Sequence, residues 1–433
     1  MTTNITRLPR VVIVGAGFGG LRAARALRNA PVEVIVIDKN NHHLFQPLLY
    51  QVATAGLSPA DISAPIRSIL KKQKNTTVLL AEVTGVDTEK QVVHTADQDI
   101  SYDYLIVATG ATHSYFGHDE WGEFAPGLKS IPDATYLRRQ ILLAFEAAEM
   151  ESDPARQREL MTFVLVGAGP TGVEMAGAIA ELAHKALARD FRNIDPRLAR
   201  VILVEAMPRI MPVFPEKLAN KVAKALTNLG VEVKTNSAVE KIDRDGVVIA
   251  GEHIPVQNVI WTAGVAASPA AKWLGAETDR AGRAKVQSDL SLPGHSNVFV
   301  VGDTALFLQE NGKPLPGIAP VAMQEGDYVG ARISQLAAGR TPEKSFQYKS
   351  KGNLATVGRS FGIADFGWLR LSGFVGWVLW LAVHIFFLIG FRNRAVVMFQ
   401  WAWAYLTFQR SARLITFPSA HSLKRRELVE ELV

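Results

Sequence analysis

The apolar positions of this chain fall into short runs, each closed by glycine or by an acid. From residue 10 to 38, RVVIVGAGFGGLRAARALRNAPVEVIVID reads as an apolar strand, a glycine turn, a helix with apolar and Ala positions on one face, and a second apolar strand ending in Asp38. This is one βαβ unit. A near copy, TFVLVGAGPTGVEMAGAIAELAHKAL, starts at residue 162 and reaches a second strand, RVILVEA, whose apolar run closes at Glu205. Three more apolar strands end in small-residue or acidic turns: YDYLIVATGA at 102–111, VQNVIWTAGV at 256–265 and NVFVVGDTALF at 297–307. The polar segment RDFRNIDPRLAR at 189–200 reads as a surface excursion.

The pattern predicts an α/β chain with two Rossmann-like dinucleotide-binding domains, the second inserted in the first. Residues 1–115 and 290–349 are expected to form the first domain and 116–289 the second. Beyond Tyr348 the composition shifts: five of the eight tryptophans fall at or after Trp368, and charges are sparse until Arg392. Residues 350–433 are therefore expected to be a separate C-terminal helical module that anchors to a membrane.

With 433 residues, each domain can bury its own core. The chain has no cysteine, so disulfides, thiolate metal sites and thiol nucleophiles are excluded, and no metal site is expected. MTTNITRLPR lacks an apolar signal region and runs directly into the first strand, which implies a cytoplasmic start. The net charge of +6 is spread through most of the chain, which argues against nucleic acid. Only near the end do Arg392, Arg394, Arg410, Arg413, Lys424, Arg425 and Arg426 surround apolar stretches, an arrangement suited to an anionic membrane surface.

Gly15, Gly17 and Gly20 form G-x-G-x-x-G directly after a strand, where the first glycine permits the turn, the second admits a pyrophosphate and the third lets helix and strand pack. The pyrophosphate then sits at the positive end of the helix, and Asp38 is placed for ribose hydroxyls. Gly167, Gly169 and Gly172 repeat the pattern with Glu205 as the ribose acid, which repels a 2′-phosphate and favours NADH; Arg209 is read as a surface arginine. Two dinucleotides imply a relay. One is FAD, because a flavin links a hydride donor to a quinone or one-electron acceptor. The first domain is assigned to FAD, with Asp303 at a strand end facing the ribityl chain.

The paired fingerprints, the ATG turn and VVGD resemble the two-dinucleotide-binding-domain flavoproteins, a glutathione-reductase-like fold. Cysteine-dependent members are excluded. Across the whole chain the resemblance is to the type II NADH dehydrogenases, carried by NHHLFQPLLYQVATAGL at 41–57, GAGPTGVE at 167–174, GIAPVAMQEGDYVGARI at 317–333 and the tail GFRNRAVVMFQWAWAYLTFQRSARLIT, which looks like the ending of the Gram-negative members. The resemblance implies FAD contacts at Gly15, Gly17, Phe18, Gly19, Gly20, Asp38, Lys39, Gln46, Pro47, Leu48, Val83, Ala108, Thr109, Gly110, Asp303 and Ala322. For NADH it implies Gly167, Gly169, Pro170, Thr171, Gly172, Glu174, Glu205, Ala263 and Gly264. Glu174, Gln324 and Glu325 are the implied catalytic residues, Glu174 lying where nicotinamide and quinone meet the flavin. Pro320 departs from the family pattern by replacing the first of two glutamines, but a proline suits a first helical turn. His384 and Arg392 are positional candidates for a proton relay; His42 and His43 are read as loop residues near the flavin.

The implied activity is a membrane-associated NADH:quinone oxidoreductase that passes hydride to non-covalent FAD and then two electrons to a membrane quinone, in ping-pong order and without proton pumping. The alternative is an NADH-dependent reductase of a small redox protein of ferredoxin or rubredoxin type. The expected partners are NADH, quinone, the lipid bilayer and a second copy in a homodimer, at the cytoplasmic face of a bacterial inner membrane. The charge-free run at 374–391 is eighteen residues, about 27 Å as a helix, marginal against a core of about 30 Å. The tryptophans at 377, 380, 401 and 403 suit the headgroup level, so two helices lying in the interface are expected, with one span as the alternative.

Overall fold

The structure, a computed structural model, describes residues 7–342, 345–407, 410 and 412–416. It divides the chain into two compact units. One holds the described residues up to Leu44 together with those of Ser63–Thr112 and Val265–Lys351; the other holds Phe45–Ile62, His113–Gly264 and the described residues from Gly352 onward.

In the first unit the apolar runs become a six-stranded sheet in the order Ser291–Leu292, His295–Val300, Tyr104–Val107, Arg10–Val14, Glu33–Asp38, Thr76–Leu80. All its pairings are parallel except the edge hairpin of Ser291–Leu292 with His295–Val300. Continuous apolar runs, not alternating ones, suit strands covered on both faces: Val11, Val12 and Ile13 are fully buried. The helix Phe18–Ala26 packs along the helix Ala319–Ala337 through glycines. A Cβ on Gly326 would lie 2.1 Å from the Gly19 carbonyl oxygen, and one on Gly330 would lie 2.8 Å from that of Ala23. Backbone therefore meets backbone, and the first turn of the second helix is brought against the glycine turn.

The second unit has a four-stranded parallel sheet in the order Val231–Lys234, Arg200–Val204, Thr162–Val166, Asn258–Trp261. The helix Ile131–Met150 begins in a capping box between Ser130 and Asp133. The unit also holds the short helix Leu49–Ala53, a three-stranded antiparallel meander (Asn353–Val357, Phe361–Asp365, Arg370–Gly373) and the helices Phe374–Phe387 and Phe391–Thr407. The C-terminal part thus holds the meander in addition to its two helices.

This partition differs from the expected domains in three places. Residues 45–62 fold with the second unit, 265–289 with the first, and the C-terminal part joins the second unit instead of standing apart. The charge-free run also breaks earlier than eighteen residues. Its helix spans 14 residues, about 21 Å, because Leu388 turns extended and Gly390 adopts a φ of +91°. No helix among the described residues is long and apolar enough to cross a membrane.

Candidate functional site

The two glycine turns are built alike. Gly15 has a φ of +96° and Gly167 one of +101°, and a Cβ there would lie 2.3 Å from the Ala108 carbonyl oxygen or 2.6 Å from the Ala263 nitrogen. A Cβ on Gly20 or Gly172 would lie 1.8 or 1.9 Å from the carbonyl oxygen of the first glycine in its own turn. By contrast, a Cβ on Gly17 or Gly169 would meet nothing within 4 Å. That open space, at the N-cap of each helix, fits a pyrophosphate.

The acids do more than wait for ribose. Asp38 accepts from the Ala16 amide at 2.6 Å and the Asn40 amide at 2.7 Å. Glu205 accepts from the Ala168 amide at 2.9 Å and the Met207 amide at 3.0 Å. Each carboxylate pins its turn to the end of the neighbouring strand and keeps lone pairs for a ribose. Arg209 donates to the carbonyls of Phe214 and Pro212 at 2.8 and 3.1 Å, so its guanidinium staples its own loop.

Around the first turn, His43 is buried and its Nδ1–H donates to the Ala16 carbonyl at 2.9 Å. Burial lowers its pKa, so the ring is neutral and Nε2 is an acceptor. Nε2 is buried with no protein partner among the described residues, as a contact for a cofactor hydroxyl requires. Val83 packs with Val14, Ile37 and Val107 in the core below the turn. The Thr109 hydroxyl lies 2.5 Å from that of Ser268 and 3.2 Å from that of Thr304, and Thr304 donates to the Gly110 carbonyl at 3.1 Å. The Ala322 carbonyl oxygen lies 3.2 Å from where a Gly19 Cβ would be. Lys39 is exposed. Asp303 stands beside Gly317, whose Cβ would be 3.1 Å from its Oδ1. Gln46, Pro47 and Leu48 belong to the second unit, where the Gln46 amide donates to the Lys129 carbonyl at 3.1 Å.

Gln324 and Glu325 have unlike surroundings. Pro320 sits in the first turn of their helix. The Gln324 amide clasps the Lys349 backbone in both directions at 3.0 Å, fastening the segment that leaves the unit. Glu325 is buried and accepts from the Gly302 amide at 2.5 Å; burial raises its pKa to about 8, and nearby Asp303 adds to the rise.

In the second unit Glu174 occupies the first turns of the fingerprint helix Pro170–Glu181 and points inward. Its Oε1 accepts from the Thr356 amide at 3.3 Å. Burial pushes its pKa to about 8, against the opposing pull of that amide and the Trp380 indole. Tyr50 is buried near this carboxyl; burial, then the carboxyl itself, raises its pKa. The Gln51 amide donates to the Tyr50 hydroxyl at 3.0 Å, and the Trp401 indole N–H donates to Gln51 at 2.7 Å. His384 stacks on Trp380 at 3.9 Å, with burial holding its pKa down at about 4. Its Nδ1–H donates to the Trp380 carbonyl at 2.7 Å, and Phe45 meets the ring edge-on at 6.1 Å. Of the residues expected to meet NADH, Pro170 and Thr171 are exposed at the helix start, and Gly264 turns with a φ of +69° against Phe116.

Two of the tail cations, Arg410 and Arg413, are engaged within the fold. Arg410 is largely buried and donates to the carbonyls of Thr54 and Ala178 at 2.6 and 3.0 Å, with Glu181 at 3.6 Å as counterion. Arg413 pairs with Asp190, while Lys424, Arg425 and Arg426 lie outside the described residues. Trp380 is likewise buried, so it is a core residue and not a headgroup anchor.

Residues 9–326 match the family model for pyridine nucleotide-disulphide oxidoreductases. The type II NADH:quinone oxidoreductase Ndh of Mycobacterium tuberculosis is 45% identical over 448 residues, covering 100% of this chain and 95% of that protein. The chain belongs to the type II NADH:quinone oxidoreductase family. NdhA of the same organism, also named a type II NADH:quinone oxidoreductase, is 44% identical over 98% of this chain and 92% of its own length. The fold of NDH2 from Plasmodium falciparum, solved in complex with NADH, superposes with a TM-score of 0.85 at 21% identity, covering 95% of this chain and 100% of that one. Type II membership accounts for a disulphide-oxidoreductase fold in a chain without cysteine: acceptor chemistry here needs no protein thiol. The sequence missed Tyr50, Thr356 and Trp380 around Glu174, because three distant segments deliver them and no local pattern links them.

Proposed function

We propose that the chain is an FAD-dependent, non-electrogenic NADH:quinone oxidoreductase in which Glu174 holds and delivers a proton to the quinone. The buried Glu174 carboxyl carries this reading. With a pKa of about 8 it is about nine-tenths protonated at pH 7. Bound FAD supplies the ability to take hydride from NADH and to pass both electrons to a quinone. The chain's own residues position and exclude. The open turn at Gly169 admits the NADH pyrophosphate, Glu205 disfavours a 2′-phosphate, and Arg209, committed to carbonyls, offers it no salvage. The turn at Gly17 and the acceptor Nε2 of His43 receive the flavin nucleotide. Trp380, Tyr50 and the meander keep water from Glu174.

The helices Phe374–Phe387 and Phe391–Thr407 are the membrane seat. Phe374, Val375, Val378, Phe386, Met398 and Phe399 are exposed on them, more apolar surface than two short helices of a soluble domain leave open. Too short to span, they lie in the interface, with Arg392 and Arg394 exposed at the start of the second. The full-length homologues at 44% and 45% identity disfavour the ferredoxin-type alternative. Adding NADH to the purified holoenzyme bleaches the flavin band, and a short-chain quinone restores it; failure of quinone to restore the band refutes the proposal.

A further inference from the structure

Two segments of the first unit, 22–28 and 66–75, each look like ordinary basic surface. Folded, they share a cleft of about 380 Å³ whose polar lining is Arg25, Arg28, Ser68, Lys71, Lys72 and Gln73, beside Ile69 and Leu70. No carboxylate among the described residues lines it. The neighbouring Arg22 is matched by Asp327 at 2.5 Å. Among the described residues, the side chains of Arg25, Arg28, Lys71 and Lys72 have neither an ion pair nor a hydrogen bond.

Cations at this place ordinarily serve the carbonyls of a helix C-terminus, since Arg25 is in the last turn of the helix Phe18–Ala26 and Lys71 caps the helix Ile66–Leu70. Here neighbouring side-chain amides already serve part of that role. The Gln73 amide donates to the Ala24 carbonyl at 2.7 Å, and the Asn75 amide donates to the carbonyls of Leu27 and Val32 at 3.0 and 3.2 Å. The four cations are left with like charges for neighbours. Burial, and then the charge of Arg22, lower the pKa of Arg25, so its charge is held at a cost. A counter-ion relieves that cost, and several cations in one concavity select one of high charge density.

We propose that this cleft binds a phosphate-bearing anion, whose phosphoryl oxygens are met by Arg25, Arg28, Lys71 and Lys72 and by the Ser68 hydroxyl. The volume fits a small ligand and not a nucleic-acid strand. The source is a free phosphate compound or the headgroup of an anionic lipid, and the two are separated by experiment.

The holoenzyme is titrated calorimetrically with inorganic pyrophosphate at low salt, beside the triple variant Arg28→Gln, Lys71→Gln, Lys72→Gln. These side chains are exposed and lie at the far end of the helix Phe18–Ala26 from the glycine turn of their own unit. Flavin content and turnover with NADH and a short-chain quinone therefore stay unchanged and report correct folding. In parallel, sedimentation is measured with phosphatidylcholine vesicles with and without phosphatidylglycerol. The dissociation constant for pyrophosphate is expected to rise at least about tenfold in the variant. Loss in the pyrophosphate arm alone assigns a free anion. Loss of phosphatidylglycerol-dependent sedimentation, with or without it, assigns a headgroup. Equal behaviour of wild type and variant in both arms overturns the proposal.

Discussion

Replacing Glu174 by Gln keeps shape and neutrality but removes the titrating proton. In the folded protein this carboxyl titrates at about 8, against 4.5 for an ordinary glutamate. A raised acid pKa means that the folded state binds the proton more tightly than the unfolded state. Wild type therefore loses stability as pH rises from about 4.5 to about 8, by at most about 1.4 kcal/mol per pH unit from this group. Between about pH 5.5 and pH 8 the loss comes to about 3 kcal/mol. The amide of the Glu174→Gln variant keeps an acceptor for the Thr356 N–H and has nothing to ionise. Glu325, also raised to about 8, titrates equally in both proteins and cancels in the difference. Thermal unfolding of the two holoproteins across this pH range is the assay. The variant should gain on wild type by several degrees from the acid to the alkaline end. Parallel curves at all pH values would refute the burial argument for Glu174.

Arg410→Met strands Glu181 without its buried counterion and should cost about 3–5 kcal/mol by thermal unfolding, with Arg410→Met, Glu181→Met recovering much of it. Gly172→Ala drives a Cβ into the Gly167 carbonyl oxygen and should abolish reduction by NADH while FAD content is retained; loss of the flavin instead would contradict the assignment of the second turn to NADH. Phe386→Glu with Phe399→Glu, at side chains 67% and 69% exposed, should release the enzyme from vesicles and spare turnover with a soluble quinone.

Both glycine turns, both acids and the strands between them were legible because each rests on residues a few positions apart. The surroundings of Glu174 were not. Thr356 lies 182 residues further along the chain, and it sits on a meander whose strands of four or five residues are too short to carry a clear alternation. Trp380 was not legible for a related reason: in an apolar run every residue looks lipid-facing, and only the fold shows that Trp401 meets Trp380 and Phe45 meets His384 on one side of the helix. Arg410 sits in a basic tail but is spent on two backbone carbonyls and Glu181. The cleft at Arg28 and Lys72 is not legible in the sequence because its cations come from two separate segments.

The central claim is that Glu174 serves quinone reduction and not NADH oxidation, and rapid-mixing measurement of the two half-reactions in wild type and Glu174→Gln tests it most directly. The account predicts that NADH reduces the flavin at similar rates in both, while reoxidation by quinone slows by about a hundredfold or more in the variant, on the scale of a lost proton donor. Equal reoxidation rates, or a loss confined to the NADH step, would contradict it.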